Sequence, residues 1–238
     1  MVAKAQARVP VQAPTFTRLI ARLGASEVPA TGEGLTAVLD QWIDWNRAVV
    51  LARALDLRPT QAEPEPEASI DPDHCLSLRQ SLAEGIVSER GLAGLPEDPA
   101  ALEFGAFRQY YLSTQRAIQA ATGRLRGSLR DQVAARSPEL AHLAAVDAVM
   151  EQILVPREYV LLGRVVTILE SHFQRMRAAA IPPADADAES DHVRSPLGDA
   201  WLQSFRRDLQ EVLLGELDLR FQPIHALCEA LRTPPTVS

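Results

Sequence analysis

Between residues 138 and 177 apolar side chains return every three or four positions, and only helices gather residues so spaced onto one side. Ser137 is a good N-cap, Pro138 suits a first helical position, and Glu139 complements the positive end of the helix dipole. Leu140, Leu143, Val146, Met150, Ile153 and Leu154 follow at helical spacing. Pro156 disfavours the α region for its predecessor, so the pattern predicts a stop near Val155. A second stripe, Leu162, Val165, Val166, Leu169, Phe173 and Met176, predicts a helix that restarts at once. Two apolar faces meeting at a short break make a tight αα pair, the nucleus of a helical bundle.

The rest of the chain follows the same period. Residues 1–14 are small, basic and proline-containing and read as a mobile tail. Phe16, Leu19, Ile20 and Leu23 predict a short amphipathic helix from Thr15, ended by Gly24. A second helix is expected over about residues 32–55, completing an N-terminal helical pair over 15–55. Its Trp42 and Trp45 lie three apart and reach one surface, either as core anchors or as an aromatic docking patch for a partner helix. Residues 56–70 alternate proline with glutamate, a linker composition that cannot build a core.

A helical bundle is expected over 71–232. Asp71-Pro72-Asp73 opens a helix with Cys75, Leu78, Leu82 and Ile86 inward, and Gly91 and Gly94 interrupt it. Asp98-Pro99 repeats the start signal, and Phe104, Phe107, Tyr111, Ile118, Leu125, Leu129 and Val133 extend the period to about 37 residues, roughly 55 Å of helix. Gly123 and Gly127 are candidate break points, or places where another backbone comes close. Residues 178–196 carry prolines and acidic residues and read as a second disordered connector. A last long helix is expected over about 197–222, ended or kinked by Pro223 before a short helix through Leu227, Cys228 and Leu231, with a tail at 233–238. No strand pattern of any length competes. The fold class is all-α, a multi-helix bundle with one long helix and two disordered acidic connectors.

Composition narrows what such a bundle does. With 238 residues and 47% hydrophobic content it can bury a sizeable core, and a net charge of -7 argues against generic affinity for nucleic-acid phosphates. No stretch resembles a secretory leader or reaches the roughly 20 apolar residues of a membrane span, so the cytoplasm is the expected location. Cys75 and Cys228 sit in apolar helical patterns and are expected as buried, reduced thiols.

Three sets of residues are candidate sites. Asp147 falls on the apolar side of its helix and needs a partner there, while Glu216 and Arg220 share the apolar face of the last long helix at i,i+4 spacing. These three are expected to form an internal network or to meet at an oligomer interface, as a polar device that fixes helix register. Carboxylate-bridged di-metal bundles use Glu-x-x-His pairs. Glu139 with His142 and Glu189 with His192 match that spacing, with Glu170 and His172 nearby, but the second pair lies in the acidic connector and the last two residues are two apart. No metal and no other cofactor is expected. Arg116, Arg124, Arg126, Arg130 and Arg136 crowd the second half of the long helix, either as a solvated face or as a surface for an acidic partner. No phosphate loop, nucleophile elbow or Cys-His arrangement is present.

Residues 135–154, residues 213–224 and the Thr17-Arg18-Leu19-Ile20-Ala21-Arg22-Leu23 opening resemble a proteobacterial family, domain of unknown function 3348, and the resemblance spans nearly the whole chain. It implies a bacterial cytoplasmic helical protein whose genes are associated with those for envelope proteins of the OmpA and MotB type. It brings no catalytic residues. The expected function is a non-enzymatic interaction or accessory protein of a bacterial assembly that reaches the envelope, with other proteins, envelope components or a second copy of the chain as partners. A helical-bundle metal protein or enzyme and a nucleic-acid-associated regulator are the alternatives.

Overall fold

The computed structural model describes residues 15–24, 43–56, 72–88, 103–180 and 196–232. They form α1 (Thr15–Gly24), α2 (Trp45–Asp56), α3 (Pro72–Val87), α4 (Phe104–Arg136), α5 (Pro138–Ala180) and α6 (Pro196–Arg232). There is no strand among the described residues. The expected tails, the 56–70 linker beyond Asp56, nearly all of the 178–196 connector, Trp42 and the Asp98-Pro99 start lie outside them.

Three long helices make the body. Ser137 is the single residue between α4 and α5, extended at φ -161° and ψ 161°. Its hydroxyl accepts from Leu140 N at 3.2 Å, a side-chain cap that starts α5 while the chain reverses. Arg126 meets Asp147 near this turn and Phe107 meets Phe173 far from it, so α4 and α5 are antiparallel. On α6, Phe205 faces Phe107 and Glu216 faces Tyr111, so α6 runs parallel to α4. The result is an up-down-up bundle, with α1 on α5 and α6, α3 chiefly on α6, and α2 on α5.

The core is continuous along α4 and α6. Ile118, Leu129 and Val133 of α4 and Leu209, Val212, Leu213, Leu217, Phe221 and Ile224 of α6 are buried. At one end Phe107, Phe173 and Phe205 pack with ring centroids 5.1 to 5.6 Å apart, mostly edge to face, and Trp201 adds a further edge contact to Phe173 at 5.3 Å. Gly215 allows α1 to approach. A Cβ there would lie 2.9 Å from Phe16 Cδ2, so the missing side chain is what seats α1 on α6.

Four expectations change. Pro156 does not divide α5, which is one helix of 43 residues. Pro156 and Gln152 are both exposed, so the carbonyl that the proline leaves without an N–H donor faces water, while Ile153 and Leu162 anchor the helix on either side. Pro223 likewise lies within α6, between the fully buried Phe221 and Ile224. With neither proline breaking a helix, α4, at 33 residues and uninterrupted at Gly123 or Gly127, has two longer companions rather than standing as the one long helix. Finally, Asp44 accepts from Arg47 N at 2.9 Å and caps α2, so that helix begins at Trp45 and Ile43 is not part of it.

Candidate functional site

The strongest polar feature of the core is Glu216, completely buried on α6. One turn later Arg220 donates Nε and Nη2 to Glu216 Oε1 at 3.0 and 2.9 Å. From α4, Tyr111 Oη and Gln115 Nε2 each donate to Oε2 at 3.0 Å. A carboxylate offers about four acceptor positions, and all are taken. Burial first, then the charge of Glu216 and the hydrogen bond to it, push the Tyr111 phenol well above its ordinary value, so it stays a donor. The outer end of Arg220 lies 3.7 Å from Glu158 Oε2 of α5, which ties three helices to one carboxylate.

Asp147 does not join this network. It sits near the α4–α5 turn, where Arg126 donates Nε and Nη2 to its two oxygens at 2.9 and 2.6 Å, a bidentate pair. Arg130 Nη1 adds a bond at 3.2 Å and also donates to Glu151, which lies 3.6 Å from Arg126 Nη1. Burial alone would lower the Arg130 guanidinium, but its hydrogen bonds and proximity to Glu151 and Asp147 raise it. The expected triad is therefore two clusters. Helical spacing placed Glu216 and Arg220 together, whereas Asp147 is claimed by α4, because a one-residue reversal brings Arg126 and Arg130 beside it.

This division also breaks the arginine stripe. Arg126 and Arg130 are 14% and 19% exposed and neutralised, Arg136 donates to the Leu231 carbonyl, and Arg116 and Arg124 are exposed. No continuous basic face runs along α4, which is what a phosphate backbone would require. The metal-type spacings do not converge either. Glu139 is held by Ser137 at 2.8 Å, while His142 turns a buried Nε2 inward without a protein partner. Glu170 is exposed and His172 lies 2.7 Å from Asp208 of α6. Among the described residues no three His, Cys, Asp or Glu side chains are placed to hold a metal ion. Glu189 and His192 lie outside the described residues.

Sequence reasoning missed Tyr111, Gln115, Glu158 and the His172–Asp208 pair. Tyr111 was assigned to the apolar face with no hint that its hydroxyl faced a carboxylate, and only the register of α4 against α6 reveals it. Beside Arg220 a cleft of about 120 Å³ opens between α4, α5 and α6, lined by Arg116, Gln119, Val155, Glu158, Tyr159 and Arg220. It has room for a few waters. Apolar side chains of α5 are exposed in and around it, Val155 and Tyr159 in its lining and Val160 and Leu161 next along the helix. Trp45, at the start of α2, is 81% exposed and is no core anchor.

Among the described residues no helix is long and apolar enough to cross a membrane. Comparison with curated proteins finds no match, and neither does comparison with solved structures. Residues 2–233 match the family described as "Protein of unknown function (DUF3348)", and with nearly its whole length matched the chain belongs to that family.

Proposed function

We propose that this chain is a non-enzymatic helical interaction protein, a cytoplasmic accessory of a larger bacterial assembly that reaches the envelope through its partner. The partner docks on the outer face of α5 around Pro156. The observation that carries this reading is the exposure of Tyr159 at 77%, Val160 at 57% and Leu161 at 45%, on a helix whose Leu169 and Phe173 are 0% exposed. Val160 lies two turns beyond Ile153, so both point away from the core residues Leu162 and Leu169, and Ile153 is buried on that side while Val160 is not. Exposed apolar side chains gathered around one turn of a helix make a patch of the kind that marks an interaction surface.

Charge supplies the partner's chemistry. Arg157 and Arg164 are exposed on the same stretch of α5, and Arg116 stands across the cleft. An amphipathic helix with an apolar ridge flanked by acidic residues fits such a surface. The polar network beneath supports a scaffold rather than a catalyst, because every acceptor position of Glu216 is filled from within the protein. Catalytic acid-base work needs a group within reach of substrate.

Affinity isolation from native cells tests the reading. It predicts one reproducible protein partner with the wild-type chain, lost when Arg157→Glu and Arg164→Glu are combined. Recovery of small molecules or metal in place of a protein contradicts it. So does a wild-type homodimer that the same two substitutions dissociate, because the patch would then belong to a second copy.

A further inference from the structure

Cys75 and Cys228 are 153 residues apart in sequence, yet α3 and the end of α6 bring their sulfurs to 2.9 Å. Both side chains are buried, and both are free thiols. A disulfide needs about 2.05 Å, less than one ångström closer. We propose that this pair is a reversible redox site, at which a peroxide oxidant converts the two thiols to an intrachain disulfide that clamps α3 onto α6.

The chemistry balances with a hydroperoxide as oxidant. One cysteine sulfur attacks the terminal peroxide oxygen and becomes a sulfenic acid as the O–O bond breaks, releasing water from hydrogen peroxide. The second sulfur attacks the sulfenic sulfur, the S–S bond forms, and the sulfenic oxygen leaves as a second water. Two electrons pass from two thiols to one peroxide. A dithiol reverses the reaction by exchange.

The placement of α3 gives the bond a consequence. This helix packs chiefly on α6, and Cys75 and Ile86 are its buried hydrophobic residues. Its far end is tied down, because Tyr110 Oη and Gln210 Nε2 both donate to the Ile86 carbonyl at 3.2 Å. The near end is held by the Cys75 contact and by Arg79 pairing with Asp218. A disulfide fastens that near end and closes most of the chain into a loop. Desolvation and the neighbouring Cys75 thiol push the Cys228 thiol up to about 12, so little of it is thiolate at neutral pH. Oxidation therefore waits on outward movement of the near end of α3, away from the tied Ile86 end.

The test treats the full reduced chain with hydrogen peroxide. Titration of thiols in denaturant should fall from two to none, the intact mass should drop by two hydrogens, and no covalent link between chains should form. The melting temperature should rise by about 5–15 °C, and dithiothreitol should restore both thiols and the original melt. Cys75→Ser and Cys228→Ser, near-isosteric changes whose folding is checked by circular dichroism, should each abolish the rise while the remaining sulfur gains oxygen. Two titratable thiols after treatment, a crosslink between chains, or an oxidised protein that melts no higher would each overturn the proposal.

Discussion

From Leu162 to Phe173, α5 turns its apolar residues inward against α4 and α6. From Val155 to Leu161, one to two turns earlier in the same unbroken helix, residues of the same kind stand in water. What differs is the neighbourhood. The C-terminal half is flanked on its inner side by two long helices and by aromatic rings from both. The N-terminal half faces α4 partly through ion pairs of Asp147 and Glu151, and on its outer side α2 covers only part of the helix. An apolar stripe in a sequence says that something must cover it, not that the cover belongs to the same chain.

The largest effect should separate these halves. Phe173→Ala removes the ring at the centre of the aromatic cluster and should cost about 3–5 kcal/mol in urea unfolding, whereas Tyr159→Ala should stay within about 0.5 kcal/mol. Equal losses would erase the distinction between core and docking face.

The two ionic clusters sharpen the same contrast. Glu216→Ala leaves a nearly buried guanidinium, a phenol and an amide without their acceptor and should cost about 3–5 kcal/mol. Asp147→Ala should cost less, about 1–3 kcal/mol, because Arg126 and Arg130 keep Glu151 and some access to water. An unchanged melting temperature for Asp147→Ala would mean that the α4–α5 turn does not depend on its ion pairs.

Next in size is Pro156→Ala. Restoring an N–H inside a helix already continuous should stabilise the protein by about 1–3 kcal/mol. Destabilisation would show that the proline shapes the surface around it in a way the alanine variant cannot keep.

Much of this fold was legible in the sequence. The apolar periodicity, the Ser137 cap and the i,i+4 pairing of Glu216 with Arg220 are local, and local rules decided them. The two prolines were misjudged because the rule that ends a helix at Pro156 or Pro223 is also local, while Ile153, Leu162, Phe221 and Ile224 hold those helices through tertiary packing. The partner of Asp147 was within reach in principle. Arg126 and Asp147 are 21 residues apart and nearly symmetric about Ser137, so a hairpin with no loop would have paired them. Nothing local points from Tyr111 to Glu216, since 105 residues separate them and the register of α4 on α6 is set by the whole core.

The smallest effect tests that turn. Ser137→Ala removes a cap and should cost about 1 kcal/mol. The Glu139 backbone N–H and then the Ser137 hydroxyl hold the Glu139 carboxyl below its ordinary value of 4.5. Folding thus favours its charged form, a contribution present above the ordinary carboxylate range and lost as pH falls through the lowered value. In Ser137→Ala the Glu139 carbon resonances should titrate at higher pH than in wild type; an unmoved midpoint would remove Ser137 from the account.

The docking face is tested most directly by replacing Tyr159 and Val160 together with serine, then measuring the melting temperature and the recovery of the partner from native cells in the same preparation. Loss of the partner with a melting temperature within a degree or two of wild type is the predicted result. A melting temperature that falls as far as for a core substitution, or a partner recovered undiminished, would contradict it.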